Sequence, residues 1–167
     1  MEILPMGSEH VSGVAAVSRE CFSMPWSEKA IREELTRPLA VTFVAVEKES
    51  GLPGGVVGFI NACFVMDEGY VNNIAVTERF RRKHTGTLLL EKMISCGKSR
   101  ELAFLTLEVR VGNQPAIALY EAMGFFPVGR RKNFYQKPVE DAFLYTLTLK
   151  NSGQTANVSA SPIASPV

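Results

Sequence analysis

Three features of this sequence could do chemistry. They are a run of bases ahead of a helix, a glutamate that closes an apolar strand, and a tyrosine on the helix after it. Arg79, Arg81, Arg82 and Lys83 stand before a helix expected over about residues 86–98, whose first acid is Glu91. A helix N-terminus carries roughly half a positive charge, so acids belong there and four bases are unfavourable. The arrangement becomes favourable when an external anion lies across the helix start on free backbone amides. Gly86 would allow close backbone approach, and Thr85 and Thr87 could add hydroxyl donors. A solvated basic loop is the other reading of the same residues. No G-x-x-x-x-G-K-[ST] run occurs, which excludes a Walker-type nucleotide loop. Phe80 is the one aromatic side chain among these bases, too few for a row of stacking platforms, which argues against direct nucleic-acid binding there.

Glu108 ends the nearly apolar run 103–109, the pattern of a central strand covered on both faces. Ligands gather at strand ends of open sheets, and a half-buried carboxylate there can act as a base directly or through a water. It can equally be a solvated strand end. Tyr120 lies at helical spacing from Ile117 and Met123, which by itself reads as a core aromatic. Asn113 can cap the helix that carries it. Trp26 reads as an anchor without chemistry. Cys21, Cys63 and Cys96 are odd in number and never paired as C-x-x-C, which points to reduced thiols and excludes a thiolate zinc site. Cys63 and Cys96 read as inert thiols inside elements. His10 and His84 are too far apart to suggest a metal pair, so no metal is expected.

The elements that must position these groups follow from the hydrophobic pattern. A strand at 1–6 leads to a helix over about 8–22 that Ser8 can cap, with Val11, Val14, Ala15, Ser18 and Phe22 on its inner face. Ser27 starts a second helix that carries Glu28 in its first turn, buries Ile31 and Leu35, and stops at Pro38. Strands follow at 41–47, 56–66 and 70–76, then the helix behind the bases, then the strand at 103–109. Pro115 suits the first turn of a helix ended by Gly124, and strands at 126–134 and 141–149 close the domain. The order β-α-α-β-β-β-α-β-α-β-β mixes hairpins with two helical crossovers. That predicts an α/β (α+β) fold: a mixed sheet of about seven strands with four helices on both faces.

The chain has 167 residues, 46% hydrophobic and 21% charged, with 18 bases against 17 acids and a net charge of +1. That supports one well-cored domain, expected over residues 1–150, and argues against a surface shaped throughout for nucleic acid. Residues 151–167 hold no charge and no aromatic residue and read as a flexible tail. The longest apolar run, 56–66, falls far short of a bilayer span, and no basic lead with an apolar stretch opens the chain. A cytoplasmic protein without membrane association is expected.

The run Asn73-Ile74-Ala75-Val76 followed by Arg81-Arg82-Lys83-His84-Thr85-Gly86 resembles the acetyl-CoA motif of the GNAT N-acetyltransferases, [QR]-x-x-G-x-[GA]. Pro25-Trp26-Ser27-Glu28-Lys29, Leu107-Glu108-Val109-Arg110 and the stretch from Asn113 to Gly124-Phe125 narrow the likeness. So do Arg130-Arg131, Asn133-Phe134-Tyr135 and Glu140-Asp141-Ala142. These segments are similar to the branch of the family that acetylates the N-terminal alanine of a ribosomal protein.

The resemblance implies acetyl-CoA as co-substrate and a GNAT-like sheet. It implies Glu108 as proton acceptor and Tyr120 as proton donor. Cofactor binding would fall to Ile74, Ala75 and Val76 through their backbone, to Arg82, Lys83, His84, Thr85, Gly86 and Thr87 at the pyrophosphate, and to Asn113. His84 stands where the motif has its first glycine. An ordinary helical dihedral is expected there, because only a positive φ would forbid a side chain.

Three functions compete: acetylation of an N-terminal α-amine on a ribosomal protein, acetylation of another amine (lysine, polyamine or antibiotic) on the same fold, and a non-catalytic acyl-CoA-binding module. A sensor needs neither Glu108 nor Tyr120. Asp67, Glu68, Glu140 and Asp141 are expected near the mouth of the acceptor cleft, where they would attract a basic peptide, with Arg130 and Arg131 facing elsewhere.

Overall fold

A computed structural model describes residues 1–150. The segment 151–167, read above as a tail, lies outside the described residues. The elements are β1 (Glu2–Pro5), α1 (Val11–Cys21), α2 (Glu28–Glu34), β2 (Ala40–Val46), β3 (Val56–Val65), β4 (Glu68–Val76), α3 (Thr85–Ser99), β5 (Phe104–Arg110), α4 (Gln114–Ala122), β6 (Phe126–Gln136) and β7 (Val139–Thr148). The expected order of strands and helices is reproduced. The seven strands form one sheet in the order β1-β2-β3-β4-β5-β7-β6, antiparallel except for β4 against β5.

Helices cover both faces. One layer seats Val11, Val14, Ala15 and Val17 of α1 and Ile31 of α2 on Val44, Phe59 and Ala75. The other seats Leu89, Leu90 and Met93 of α3 and Ile117 and Tyr120 of α4 on Leu105, Leu107, Val109 and Tyr145. Phe59 has no exposed surface, and truncating a ring of that kind costs about 3–5 kcal/mol. Helix α1 lies close to the start of β3 because residue 13 is glycine: a Cβ there would stand 2.7 Å from the Cβ of Val56.

Several local expectations hold. Ser27 Oγ accepts the Ala30 N–H at 3.1 Å and caps α2. Gly124, at φ 89°, supplies the left-handed end of α4. Two do not hold. Ser8 caps nothing; it opens a single 3-10 turn (Ser8–His10), and the Gly7 N–H donates to His10 Nδ1 at 2.9 Å. Leu35 lies beyond the last turn of α2 and is exposed, because the helix ends at Glu34 before its apolar stripe completes another turn.

Two irregularities make the site. The parallel pairing of β4 with β5 runs only from Glu68 opposite Phe104 to Val71 opposite Leu107. Beyond it, residues 73–76 pair with β3 alone and 108–110 with β7 alone, so the sheet splits. The split begins at a bulge: Asn61 faces Asn73 and Ala62 faces Val71, leaving Asn72 as the extra residue. A bulge bends its strand and increases local twist, which turns β4 away from β5.

Candidate active site

The split opens a cleft of about 420 Å³. Ile74 from β4, Glu108 from β5, Asn113 ahead of α4 and Tyr120 on α4 all line it, so four of the residues singled out from the sequence meet there. Phe22, Ser23 and Met24 after α1 and Phe134, Tyr135 and Lys137 on the β6–β7 hairpin close its mouth. The Ser23 hydroxyl donates to the Lys137 carbonyl at 2.7 Å, joining the two rims.

The wall formed by β4 offers backbone donors. The Thr77 N–H bonds the Val57 carbonyl, so strand alternation turns the N–H groups of Ala75 and Asn73 toward β3 and those of Ile74 and Val76 into the gap. Of the three residues the sequence grouped there, Ala75 therefore donates within the sheet, and its side chain is buried in the α1 layer. The Val76 carbonyl accepts Arg81 Nε at 3.0 Å and lies 3.5 Å from Cys21 Sγ. Arg81 is thus folded back on the strand end.

The loop into α3 is a concave run of backbone. Arg82 has φ 56° and His84 φ 60°, ψ 7°, both left-handed. This overturns the expectation of a helical dihedral at His84, which caps α3 with its backbone alone and makes no side-chain cap bond. Alternating hand aims successive N–H groups inward, the form of an anion nest. Glycine meets that dihedral freely, whereas a side chain costs about 1–2 kcal/mol.

The α3 N-terminus keeps amides free at Thr85, Gly86 and Thr87, since the first helical bond runs from the Leu88 N–H to the His84 carbonyl. The Thr85 hydroxyl is not available as expected: it is buried and donates to the Phe80 carbonyl at 3.1 Å. Gly86 is small for a reason on its other side as well, since a Cβ would stand 3.2 Å from the Leu119 side chain of α4. Arg82 and Lys83 are exposed, with Lys83 Nζ 5.0 Å above the Phe80 ring. Below the loop, the Glu20 carboxylate of α1 accepts the Thr77 hydroxyl at 2.8 Å and the Glu78 N–H at 2.6 Å. The Glu78 N–H holds that carboxyl below the usual range against a smaller opposing effect of burial.

On the other wall, Glu108 is 27% exposed, and Arg131 Nε lies 3.4 Å from its Oε1. Arg131 therefore faces the cleft rather than away from it, because the register sets it opposite Ala142, which in turn faces Arg110 on the Glu108 side of β5. Glu140 and Asp141 do not present free charge either. Glu140 accepts Arg110 at 3.0 Å and the Gly112 N–H at 2.8 Å, and Asp141 accepts Arg130 at 2.8 Å and the Asn133 N–H at 2.8 Å. Those N–H bonds, then the arginines, lower both carboxyl pKa values.

Tyr120 is 5% exposed and packs on Phe125, and burial pushes its phenol above the ordinary value of 10. The group stays protonated at any physiological pH, the state a proton donor requires. Tyr70 donates to Glu68, and that bond, followed by burial, pushes its phenol up to about 12. Asn113 Oδ1 accepts the Ala116 N–H at 3.3 Å while the residue also lines the cleft, so capping and lining coexist.

Among the described residues no helix is long and apolar enough to cross a membrane, and no group of three or more His, Cys, Asp or Glu side chains could hold a metal. The chemistry present is a free strand edge, an anion cradle at a helix start, a carboxylate and a phenol around one gap.

The sequence profile of the Acetyltransferase (GNAT) family matches residues 12–125. The chain belongs to that family. It is an acetyl-CoA-dependent N-acetyltransferase with the GNAT fold. It is similar to the [ribosomal protein bS18]-alanine N-acetyltransferase of Salmonella typhimurium, 33% identical over 136 residues, 80% of this chain and 87% of that one. The structure superposes on the crystal structure of the ribosomal-protein-S18-alanine N-acetyltransferase from Escherichia coli with a TM-score of 0.80 at 28% identity, covering 94% of this chain and 99% of that one. It also resembles a chain of the NatC complex bound to Gag peptide and CoA, with a TM-score of 0.78, 27% identity and coverage of 90% and 100%. GNAT acetyltransferases use acetyl-CoA, and the free strand edge and the anion cradle fit such a molecule.

Asn72 in the cleft, Arg131 against Glu108 and Glu20 below the loop escaped attention as site residues. Only Asn72 carried a sequence signal, as one of two adjacent polar residues, with Asn73, ahead of the apolar strand end Ile74-Ala75-Val76.

Proposed function

We propose that the chain transfers the acetyl group of acetyl-CoA to the α-amine of an N-terminal alanine on a ribosomal protein, in the cytoplasm, as the names of its bacterial relatives suggest. The observation that carries the chemistry is the meeting of Glu108 and Tyr120 around the gap between β4 and β5. Acetyl-CoA supplies an activated acetyl group as a thioester. The amides of Ile74 and Val76, the α3 N-terminus at Thr85, Gly86 and Thr87, and the side chains of Arg82, Lys83 and Asn113 hold it; His84 contributes backbone. Glu108 takes the proton of the attacking amine, directly or through a water, and Tyr120 gives one to the departing thiolate.

The amine type follows from proton energetics. An α-amine titrates near 7.7–8.0 and a lysine near 10.4, so a free lysine amine costs roughly 3 kcal/mol more at neutral pH. A carboxylate is a weak base and suits the easier proton. The test is kinetics on a panel: peptides opening with alanine, the same peptides with a blocked N-terminus and an internal lysine, and a polyamine. Alanine-terminal peptides should give the highest kcat/KM; faster acetylation of lysine or polyamine would overturn the reading.

A further inference from the structure

We propose that Asn72 holds the acceptor amine opposite Glu108, and that its amide is oriented from the far side of β3 by Glu34. This rests on the α-amine reading above and deepens it.

Asn72 is the extra residue of the bulge, immediately past the last β4–β5 pair, Val71 opposite Leu107. Glu108 is the first residue past that pair on β5. The two therefore stand on either side of the point where the sheet splits, and both line the cleft. The Asn72 amide is fixed by a relay that starts under α2. Glu34 is ion-paired to Arg37 at 2.6 Å and is only 10% exposed. A carboxylate partnered in this way accepts and does not donate. The group facing it must be the NH₂ of Asn61, and Asn61 Nδ2 donates to Glu34 Oε2 at 3.1 Å and to Thr42 Oγ1 at 2.8 Å. Asn61 has no exposed surface, so it has no freedom to turn over. Its Oδ1 then faces Asn72, whose Nδ2 donates to it at 2.9 Å. One direction of donation runs through the relay, and it leaves Asn72 Oδ1 as an acceptor that no protein donor reaches among the described residues.

A primary ammonium has three N–H groups. One goes to Glu108, which removes that proton; one goes to Asn72 Oδ1 and stays there while the neutral amine turns about its C–N bond to bring its lone pair onto the thioester carbonyl. The nitrogen releases its second proton as the tetrahedral adduct collapses, and Tyr120 protonates the departing thiolate. An amide oxygen is suited to this because it bonds the amine before and after the proton leaves. A second carboxylate would hold the amine in its charged form and oppose its attack. Asn72 is thus a substrate-binding residue, and Asn61 and Glu34 are positioning residues.

The experiment is steady-state kinetics of the full chain with an alanine-terminal peptide and acetyl-CoA, for the wild type, Asn72→Ala and Glu34→Gln, with the thermal shift on adding CoA measured for each. Asn72→Ala should raise the peptide KM roughly ten- to a hundredfold, the range for a hydrogen bond to a charged group, and leave the acetyl-CoA KM and the CoA shift unchanged. Glu34→Gln lies outside the cleft and keeps its shape, but a glutamine can present either end to Asn61. The relay can then reverse, and the peptide KM should rise several-fold with the same acetyl-CoA KM.

An unchanged peptide KM in Asn72→Ala, or an equal rise in both KM values, overturns the proposal. An effect of Asn72→Ala without one of Glu34→Gln overturns the role of Glu34. A wild type that acetylates no N-terminal peptide refutes instead the reading on which this rests.

Discussion

The two sides of the cleft are built differently. The side we assign to acetyl-CoA is made of consecutive backbone: the free edge of β4, the left-handed turns at Arg82 and His84, and the start of α3, which no side chain caps. The acceptor side is made of side chains far apart in sequence: Ser23 with the Lys137 carbonyl, Glu34 with Asn61, Arg131 with Glu108, Arg110 with Glu140. A site made of consecutive backbone tolerates sequence change and leaves a short local signature. A site assembled from distant side chains can be retuned residue by residue and leaves none.

The largest effects should come where chemistry crosses between the sides. Glu108→Gln should lower kcat by roughly 10²–10⁴ at neutral pH with an unchanged melting temperature, the range for losing a general base. Tyr120→Phe keeps the packed ring, so kcat should fall, by about 10² or more, while stability holds. Near-normal turnover in either variant would put the proton transfer elsewhere.

On the acetyl-CoA side, charge reversal of Arg82 or Lys83 should raise the acetyl-CoA KM about tenfold with little change in kcat, since these groups bind ground and transition states alike. The peptide KM should not move, and a shift in it would erase the distinction between the two sides.

A smaller effect, opposite in sign, is expected at His84. His84→Gly removes the cost of a side chain at φ 60° and adds the entropy of a glycine, for a net gain of about 0.5–1 kcal/mol in denaturant unfolding. A loss would mean that the imidazole makes an interaction worth more than the strain.

The donor side was legible in the sequence as far as the bases, Gly86 and the break between strand and helix. What was not legible there was hand: the residues at 82 and 84 are not glycine, and only the backbone shows them left-handed. Glu108, Asn113 and Tyr120 were legible one by one, and the gap that gathers them was not, because it arises from a bulge opposite Asn61. The acids at 140 and 141 were misread as a lure for a basic peptide, since their partners sit on other strands, Arg110 on β5 and Arg130 across the hairpin.

Those acids give the smallest effect. Their folded pKa values are depressed, so the stability they add is present above the ordinary carboxylate range and is lost as pH falls through the lowered values. Replacing both with their amides should flatten the acid limb of the unfolding curve below about pH 4.5 and leave the salt dependence of peptide kcat/KM unchanged. A weakened salt dependence would restore them as steering charges.

The central claim, that the Glu108 wall serves an α-amine, is tested most directly by one peptide carrying both a free N-terminal alanine and an internal lysine. After limited turnover with acetyl-CoA, tandem mass spectrometry locates the acetyl group. The account predicts it on the alanine nitrogen, with the product nearly absent when Glu108→Gln replaces the wild type. Acetyl on the lysine nitrogen, or equal product from the Glu108→Gln variant, would contradict it.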